Sequence, residues 1–384
     1  MNDSEMTGHH GSGCVSDVAH DRSVPEIDLL TPLEIRGVKL RSRIAVSPMC
    51  QYCAVDGMPD DWHLVHLGSR AVGGAALVIA EATGVTPEGR ISPGDTGLWN
   101  DAQADAWQPI AAFIQRMGAA PGIQLAHAGR KASCQVPWAG GASLKTAAEG
   151  GWQTVAPSAI PFMDDDPIPH ALTEPEIAGI TDAFVQATRR AVRAGFQVIE
   201  LHAAHGYLMH EFLSPISNHR TDRYGGSLDN RMRLAIETAA AMRSVMPAEL
   251  PFFVRISATD WIDGGWDLAQ SIELAKRLAD VGVDLIDVSS GGIAPKASIP
   301  VGKNYQVPFA AEIRQQAHLL TGAVGLITDP QQANEIVTAG EADLVLVGRE
   351  LLREPYWALK AEASLDAEPS WPLPYGYAVK RRAR

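Results

Sequence analysis

The chain has 384 residues, with 32 Lys and Arg against 45 Asp and Glu, a formal net charge of −13. So acidic a balance excludes a non-specific binder of nucleic acid or of anionic membrane, because both depend on surplus positive charge. At 46% hydrophobic and 20% charged residues, the chain can bury a large core and is not a mainly disordered one.

Residues 1–24 place His9, His10 and His20 among Gly, Ser and Asp and read as a flexible leader, without the apolar run of a secretory signal. Apolar runs such as Ala75–Ala80 fall far short of the roughly 18 residues that span a bilayer. The four cysteines, Cys14, Cys50, Cys53 and Cys134, form neither a disulfide framework nor a zinc ligand set. A reducing compartment follows, hence a cytoplasmic location.

From residue 25 to residue 384 one domain is expected. Thr31–Arg43 reads as a small hairpin with Gly37 at its turn, placed to plug the floor of a barrel. Short β-branched runs then alternate with helical patterns. The predicted strands are Ile44–Ser47, Leu77–Glu81, Gly122–His127, Val198–His202, Phe252–Ile256, Leu285–Ser289, Val324–Ile327 and Leu344–Val347. Helices are predicted near 62–73, 102–117, 174–194, 229–245, 267–281, 308–320, 330–339 and 355–363. Gly118, Gly195, Gly282 and Gly340 stand where a left-handed residue ends a helix. Eight strand-helix units with no Gly-x-Gly-x-x-Gly turn and no Walker sequence favour a closed (β/α)8 TIM barrel over a doubly wound sheet. The longest interruption, about residues 133–170, reads as a lid-like excursion after the third strand, although a plain surface excursion has the same composition.

Barrel chemistry sits at the C-terminal ends of the strands, and there the polar residues collect. The first strand runs into Ser47-Pro48-Met49-Cys50-Gln51-Tyr52, and the third carries Gln124 and continues to Lys131. The fourth ends Glu200-Leu201-His202-Ala203-Ala204-His205-Gly206-Tyr207, and the fifth holds Arg255. His202 and His205 can both donate to one ligand oxygen and stabilise charge developing on it, with the Tyr207 phenol as a proton donor. With Glu200 they could instead bind a divalent metal, which would make the chain a metal-dependent barrel hydrolase. Gln124 and Arg255 would be costly to bury unpartnered. A heterocycle with carbonyl and imide edges would satisfy them, as would a salt bridge between Arg255 and Glu200. Val347-Gly348-Arg349 after the eighth strand fits a phosphate. Ser289-Ser290-Gly291-Gly292 after the sixth adds further donors or is only a tight turn.

Assembled in this order, and with Asn218–Ser227 and Val347–Leu352, these motifs resemble the Old Yellow Enzyme family of FMN-dependent ene-reductases, in its bacterial branch of NADPH dehydrogenases and xenobiotic reductases. The resemblance runs from about Leu30 to the C-terminus. It implies tightly bound, non-covalent FMN held by Ser47, Pro48, Met49, Cys50, Ala82, Gln124, Lys131, Arg255, Gly348 and Arg349. It implies a substrate oxygen held by His202 and His205, contact from Tyr52, and Tyr207 as proton donor. NADPH would reduce the flavin, which would pass hydride to enones, nitro compounds or quinones. A homo-oligomer, dimer or tetramer, is the family expectation. Two departures stand out. Pro330 replaces a glycine of many relatives and puts one phosphate donor in doubt. The tail ends in Arg381-Arg382-Ala383-Arg384, where Arg381 or Arg382 either enters a neighbouring site or belongs to a solvated basic tail.

Overall fold

The structure, a computed structural model, describes residues 27–379. The expected leader and the tail with Arg381 and Arg382 lie outside the described residues. Eight parallel strands close into a barrel: β1 Ile44–Val46, β2 Leu77–Gly84, β3 Ala120–Ala126, β4 Val198–Ala203, β5 Phe252–Ser257, β6 Leu285–Ser289, β7 Leu320–Val324 and β8 Leu344–Val347, with β8 pairing back onto β1. Strands enclosed by helices outside and side chains inside must be apolar on both faces, and these are buried along almost their whole length.

The helices in chain order are α1 Asp61–Val72, α2 Asp101–Arg116, α3 Glu174–Arg193, α4 Leu208–Leu213, α5 Leu228–Val245, α6 Leu268–Asp280, α7 Val307–Ala317, α8 Pro330–Thr338, α9 Arg349–Arg353, α10 Trp357–Ser364 and α11 Gly376–Val379. Capping side chains start several of them: Asp60, Asn100, Ser227, Asp267 and Asp329 each accept a backbone N–H of the first turn. Gly118, Gly195, Gly282 and Gly340 end α2, α3, α6 and α8 at φ of 78°, 91°, 92° and 69°, as the sequence predicts. The short helices α4 and α9 are additions, too brief to show a helical period.

The barrel floor is plugged as expected. Leu33–Ile35 pairs antiparallel with Val38–Leu40, and Leu33, Ile35, Val38 and Leu40 pack in one cluster with Leu77, Ile79, Val198, Phe253 and Leu346 of the barrel. Arg36, not Gly37, takes the left-handed turn conformation (φ 51°). Gly37 is needed for close approach, since a Cβ there would lie 2.9 Å from the Glu249 Cβ.

One strand departs from expectation. The seventh was predicted at Val324–Ile327, but β7 ends at Val324 and the preceding helix ends at Ala317 rather than near 320. His318 breaks the helix at φ 53°, which frees Leu320 to pair with Leu285 of β6 and Gly322 with Leu344 of β8. Gly325 (φ 113°) and Leu326 (φ 52°) then turn the chain out of the sheet. The excursion forms turns at Pro137–Ala139 and Ala147–Glu149 and a short parallel pair, Val155–Ala156 with His170–Ala171. It is tied to the barrel by Trp152 Nε1 donating to Glu88 O (2.8 Å) and Arg130 Nη1 donating to Ile160 O (3.2 Å). Among the described residues no helix is long and apolar enough to cross a membrane.

Candidate active site

Alternation along parallel strands sends every second side chain into the barrel. Pairing sets Gln124 beside Glu200, His202 beside Arg255, and Arg255 beside Asp287. All are buried. Gln124 Nε2 donates to Glu200 Oε1 at 2.7 Å, and Arg255 Nη1 donates to Ser47 Oγ at 3.2 Å. The pair considered from sequence, Arg255 with Glu200, does not form. Arg255 Nε instead lies 3.2 Å from Asp287 Oδ2, its register neighbour, at ion-pair distance but not aligned as a hydrogen bond. Two carboxyls thus share one guanidinium. Burial raises both above the usual carboxylate range; Asp287 raises Glu200 further, and Arg255 opposes the rise in each. Arg255 Nε, Glu200 Oε2 and both Asp287 oxygens have no hydrogen-bond partner within the chain.

Above this layer lies an inner cavity of about 380 Å³, lined by Ser47, Pro48, Met49, His205, Arg255, the 324–328 turn, Gly348 and Arg349. Nothing comes closer than 3.9 Å to a Cβ built on Gly348, so the end of β8 is open to a ligand. Gly325 lines the same cavity and was missed in the sequence because the misplaced strand absorbed it. Pro330 opens α8 behind the Asp329 cap, where its missing N–H costs the helix nothing, and it does not line this cavity. Cys50, Ala82 and Gln124 adjoin rather than line this cavity. Burial pushes the Cys50 thiol well above its ordinary value, with Asp95 and Glu81 adding to the rise and the Ala82 backbone opposing it.

An outer cavity of about 660 Å³ opens beyond, lined by Tyr52, Lys131, Cys134, Tyr207 and, from the excursion, Pro137, Phe162 and Met163. Between the two cavities runs a row of rings: His205 to His202 at 5.2 Å and His202 to Tyr207 at 5.0 Å, both edge-on. Ala204 N donates to His202 Nδ1 at 3.2 Å, which leaves the ring proton on Nε2. His205 Nε2 lies 2.7 Å from Ser289 Oγ. Burial, reinforced by Arg255, holds both imidazoles well below their ordinary value, so both are neutral at neutral pH. Burial likewise raises the Tyr207 phenol, which keeps its proton.

Lys131 belongs to the outer cavity, not the inner one. Its Nζ donates to His205 O (2.8 Å) and Gly292 O (3.0 Å) and faces the Phe162 and Tyr207 rings at 4.6 and 5.2 Å. The Ser289–Gly292 turn accepts through Gly291 O and Gly292 O, and its Gly291 N donates to Thr259 O at 2.8 Å. His202, His205 and Glu200 do not converge as metal ligands; among the described residues no group of three or more His, Cys, Asp or Glu could hold a metal ion, and the hydrolase alternative loses its basis.

A closed parallel barrel whose mouth offers an arginine with an unpartnered Nε, a committed amide and an open glycine-arginine end fits a flavin nucleotide, which defines the class as a flavin-dependent barrel oxidoreductase. The model of the NADH:flavin oxidoreductase / NADH oxidase family matches residues 28–368, and the chain belongs to that family. It is 46% identical to an NADPH dehydrogenase of Geobacillus thermodenitrificans over 349 residues, 90% of this chain and 97% of the relative. It is 45% identical to an NADPH dehydrogenase of Bacillus subtilis over 349 residues, 90% and 98% of the two chains. Among solved structures it is similar to morphinone reductase, at TM-score 0.74 and 28% identity over 93% of this chain and 94% of that one. It is also similar to an old yellow enzyme homologue from Zymomonas mobilis, at TM-score 0.72 and 28% identity over 90% and 94%. The protein is an oxidoreductase with FMN as cofactor and NADPH as reductant.

Proposed function

We propose that this enzyme reduces the activated C=C bond of α,β-unsaturated carbonyl or nitro compounds, with quinones as related acceptors. The observation that carries the reading is the row His205–His202–Tyr207 spanning the two cavities. FMN, when bound, supplies the hydride acceptor and donor between NADPH and substrate. Ser47, Pro48, Met49 and Cys50 flank it, with Ala82 beside them. Gln124, its amine committed to Glu200, offers its carbonyl oxygen. Arg255 supplies positive charge that Asp287 only partly balances, and Gly348 with Arg349 receives the phosphate. His202 and His205 hold the substrate oxygen as neutral donors, Tyr52 closes the opposite side, and Tyr207 Oη–H gives a proton to the α-carbon as the β-carbon is reduced. Lys131 holds the His205 carbonyl, and the excursion serves as a lid on the outer cavity.

Anaerobic titration of the holoenzyme with NADPH and then cyclohexenone, followed by flavin absorbance, is expected to show bleaching and then recovery. Bleaching with no recovery on any enone, nitroalkene or quinone would remove the substrate class. His202→Ala is expected to weaken a phenolate ligand by about 10- to 100-fold, the worth of a hydrogen bond to a charged group, while FMN affinity stays as in the unmodified enzyme. Unchanged phenolate affinity would remove the oxygen clamp.

A further inference from the structure

The three ring-bearing residues of the site lie within six positions, and the chain between them is held in an uncommon shape. His205 and Gly206 are both left-handed, at φ 60° and 75°, and a Cβ on Gly206 would fall 2.1 Å from Gly292 O. Two consecutive residues of this kind persist only where neighbours over-determine them. Some of the anchors come from the barrel: Ser257 Oγ accepts His205 N at 2.9 Å, and Lys131 takes the His205 carbonyl. Of the other backbone donors in the turn, Tyr207 N goes to Ala204 O at 3.2 Å and Gly206 N goes to His210 Nδ1 at 2.9 Å.

His210 is fully buried on α4, and its other nitrogen, Nε2, lies 2.8 Å from Asp260 Oδ1, also fully buried. The arrangement fixes every proton. Asp260 Oδ2 accepts Ser214 Oγ–H at 2.6 Å and Trp266 N–H at 2.7 Å, so Oδ1 is left for His210. Because Nδ1 must accept from Gly206, the ring proton sits on Nε2 and is donated to Asp260. No atom of this chain of groups lines either cavity, and nothing in the chemistry described above uses it.

We propose that His210 and Asp260 are positioning residues: Asp260 sets the tautomer of His210, and His210 thereby fixes Gly206 N–H and the directions of His205 and Tyr207 on either side of it. This rests on the reading of His202, His205 and Tyr207 as the oxygen clamp and proton donor. It extends that reading to two buried residues that touch neither substrate nor flavin. Second partners of this type, which fix a histidine tautomer through its far nitrogen, are a recurrent way to orient a site.

The test is Asp260→Asn, nearly identical in shape. Trp266 N–H demands an acceptor, so the asparagine oxygen must take the Oδ2 place and its NH₂ must face His210. Nε2 then accepts, the ring proton moves to Nδ1, and a donor points at the Gly206 donor. The expected result in holoenzyme is at least a 10-fold loss in affinity for 4-hydroxybenzaldehyde, read from the long-wavelength band of the phenolate on flavin, with FMN affinity unchanged. The rise in KM for cyclohexenone should exceed the fall in kcat. His210→Gln, whose amide can accept from Gly206 and donate to Asp260, should keep phenolate affinity within about 2-fold. Asp260→Asn with unmodified phenolate affinity overturns the proposal. So does equal loss in Asp260→Asn and His210→Gln, which marks a merely structural role. Should Asp260→Asn not fold, the ¹⁵N signals of His210 in unsubstituted holoenzyme decide: a proton on Nε2 supports the assignment and a proton on Nδ1 overturns it. Unsubstituted enzyme that binds no phenolate overturns this proposal together with the oxygen clamp, whereas phenolate binding that is indifferent to Asp260→Asn leaves the clamp intact.

Discussion

Tyr207 shows how local geometry turns a common residue into a reagent. It stands at the N-cap position of α4 without a capping bond from its side chain, lies edge-on to His202 at 5.0 Å, and is raised by burial so that its proton is retained. Tyr207→Phe keeps the ring and removes that proton. It is expected to slow alkene reduction by about 100-fold, the lower range for a positioned general acid, and to leave flavin reduction by NADPH within about 3-fold; single-turnover measurement of each half-reaction separates the two. Equal slowing of both would assign the phenol to binding. Gln124 and Arg255 were legible because each is a polar residue in an apolar strand, which burial forbids without a partner, and His202 and His205 because they stand where a barrel strand gives way to its loop. The same rule, applied evenly, also marks Asp287 inside Leu285–Ser289 and Glu81 in β2. Asp287 is the true partner of Arg255. Glu81 occupies the bulge between Ala80 and Ala82 and accepts Gln51 N at 2.8 Å, which holds the Cys50–Tyr52 loop. Glu81 stands at the end of the predicted strand Leu77–Glu81, where an acid looks like a boundary, whereas β2 runs on to Gly84.

At the scale of elements, the sheet was legible from alternation and the helices from their caps, while β7 was not. Its residues Leu320-Thr321-Gly322-Ala323-Val324 hold one threonine and one glycine, and the apolar pair Leu319-Leu320 at its start reads as a continuation of α7. Only the barrel partners on both sides settle the register, a tertiary effect that no local window contains. That slip also hid Gly325 in the inner cavity, so an error in an element became an error in the site. The hairpin offers the opposite case, a local signal with a global role. Leu40 is 2% exposed and closes the barrel floor with Leu33, Ile35 and Val38. Leu40→Ala is expected to cost about 2–5 kcal/mol in denaturant unfolding of holoenzyme, with phenolate affinity at the opposite end of the barrel unchanged. A loss under 1 kcal/mol would mean that the plug does not seal the core.

For the molecule as a whole, buried ionisable groups set the pH at which the fold is most stable. Burial holds Glu211 and Glu200 up, each to about 8, and Asp95 up to about 7. It presses His127 down to about 4 and His66 to about 3, with His202 and His205 also well below their ordinary value. A carboxyl raised by folding stabilises fully below its unfolded pKa, and that contribution is lost as pH rises through the folded value. A histidine lowered by folding acts on the other side, because the unfolded chain takes up its proton below about 6.5. Between about 4.5 and 6.5 the two sets oppose each other. From about 6.5 to 8 only the carboxyls act, and stability falls as pH rises, by about 1.4 kcal/mol per pH unit for each retained proton. Above about 8, Lys131, lowered by burial to about 8, begins to reverse the trend. Glu211 allows a clean test: its Oε1 accepts Arg130 N at 2.8 Å, a bond that glutamine keeps, and it lines neither cavity. In holoenzyme with excess FMN, Glu211→Gln is therefore expected to flatten the decline in unfolding free energy between pH 6.5 and 8 by about one proton's worth. Parallel declines in the two proteins would show that this carboxyl is ionised in the folded state, and that the Arg130 guanidinium outweighs its burial.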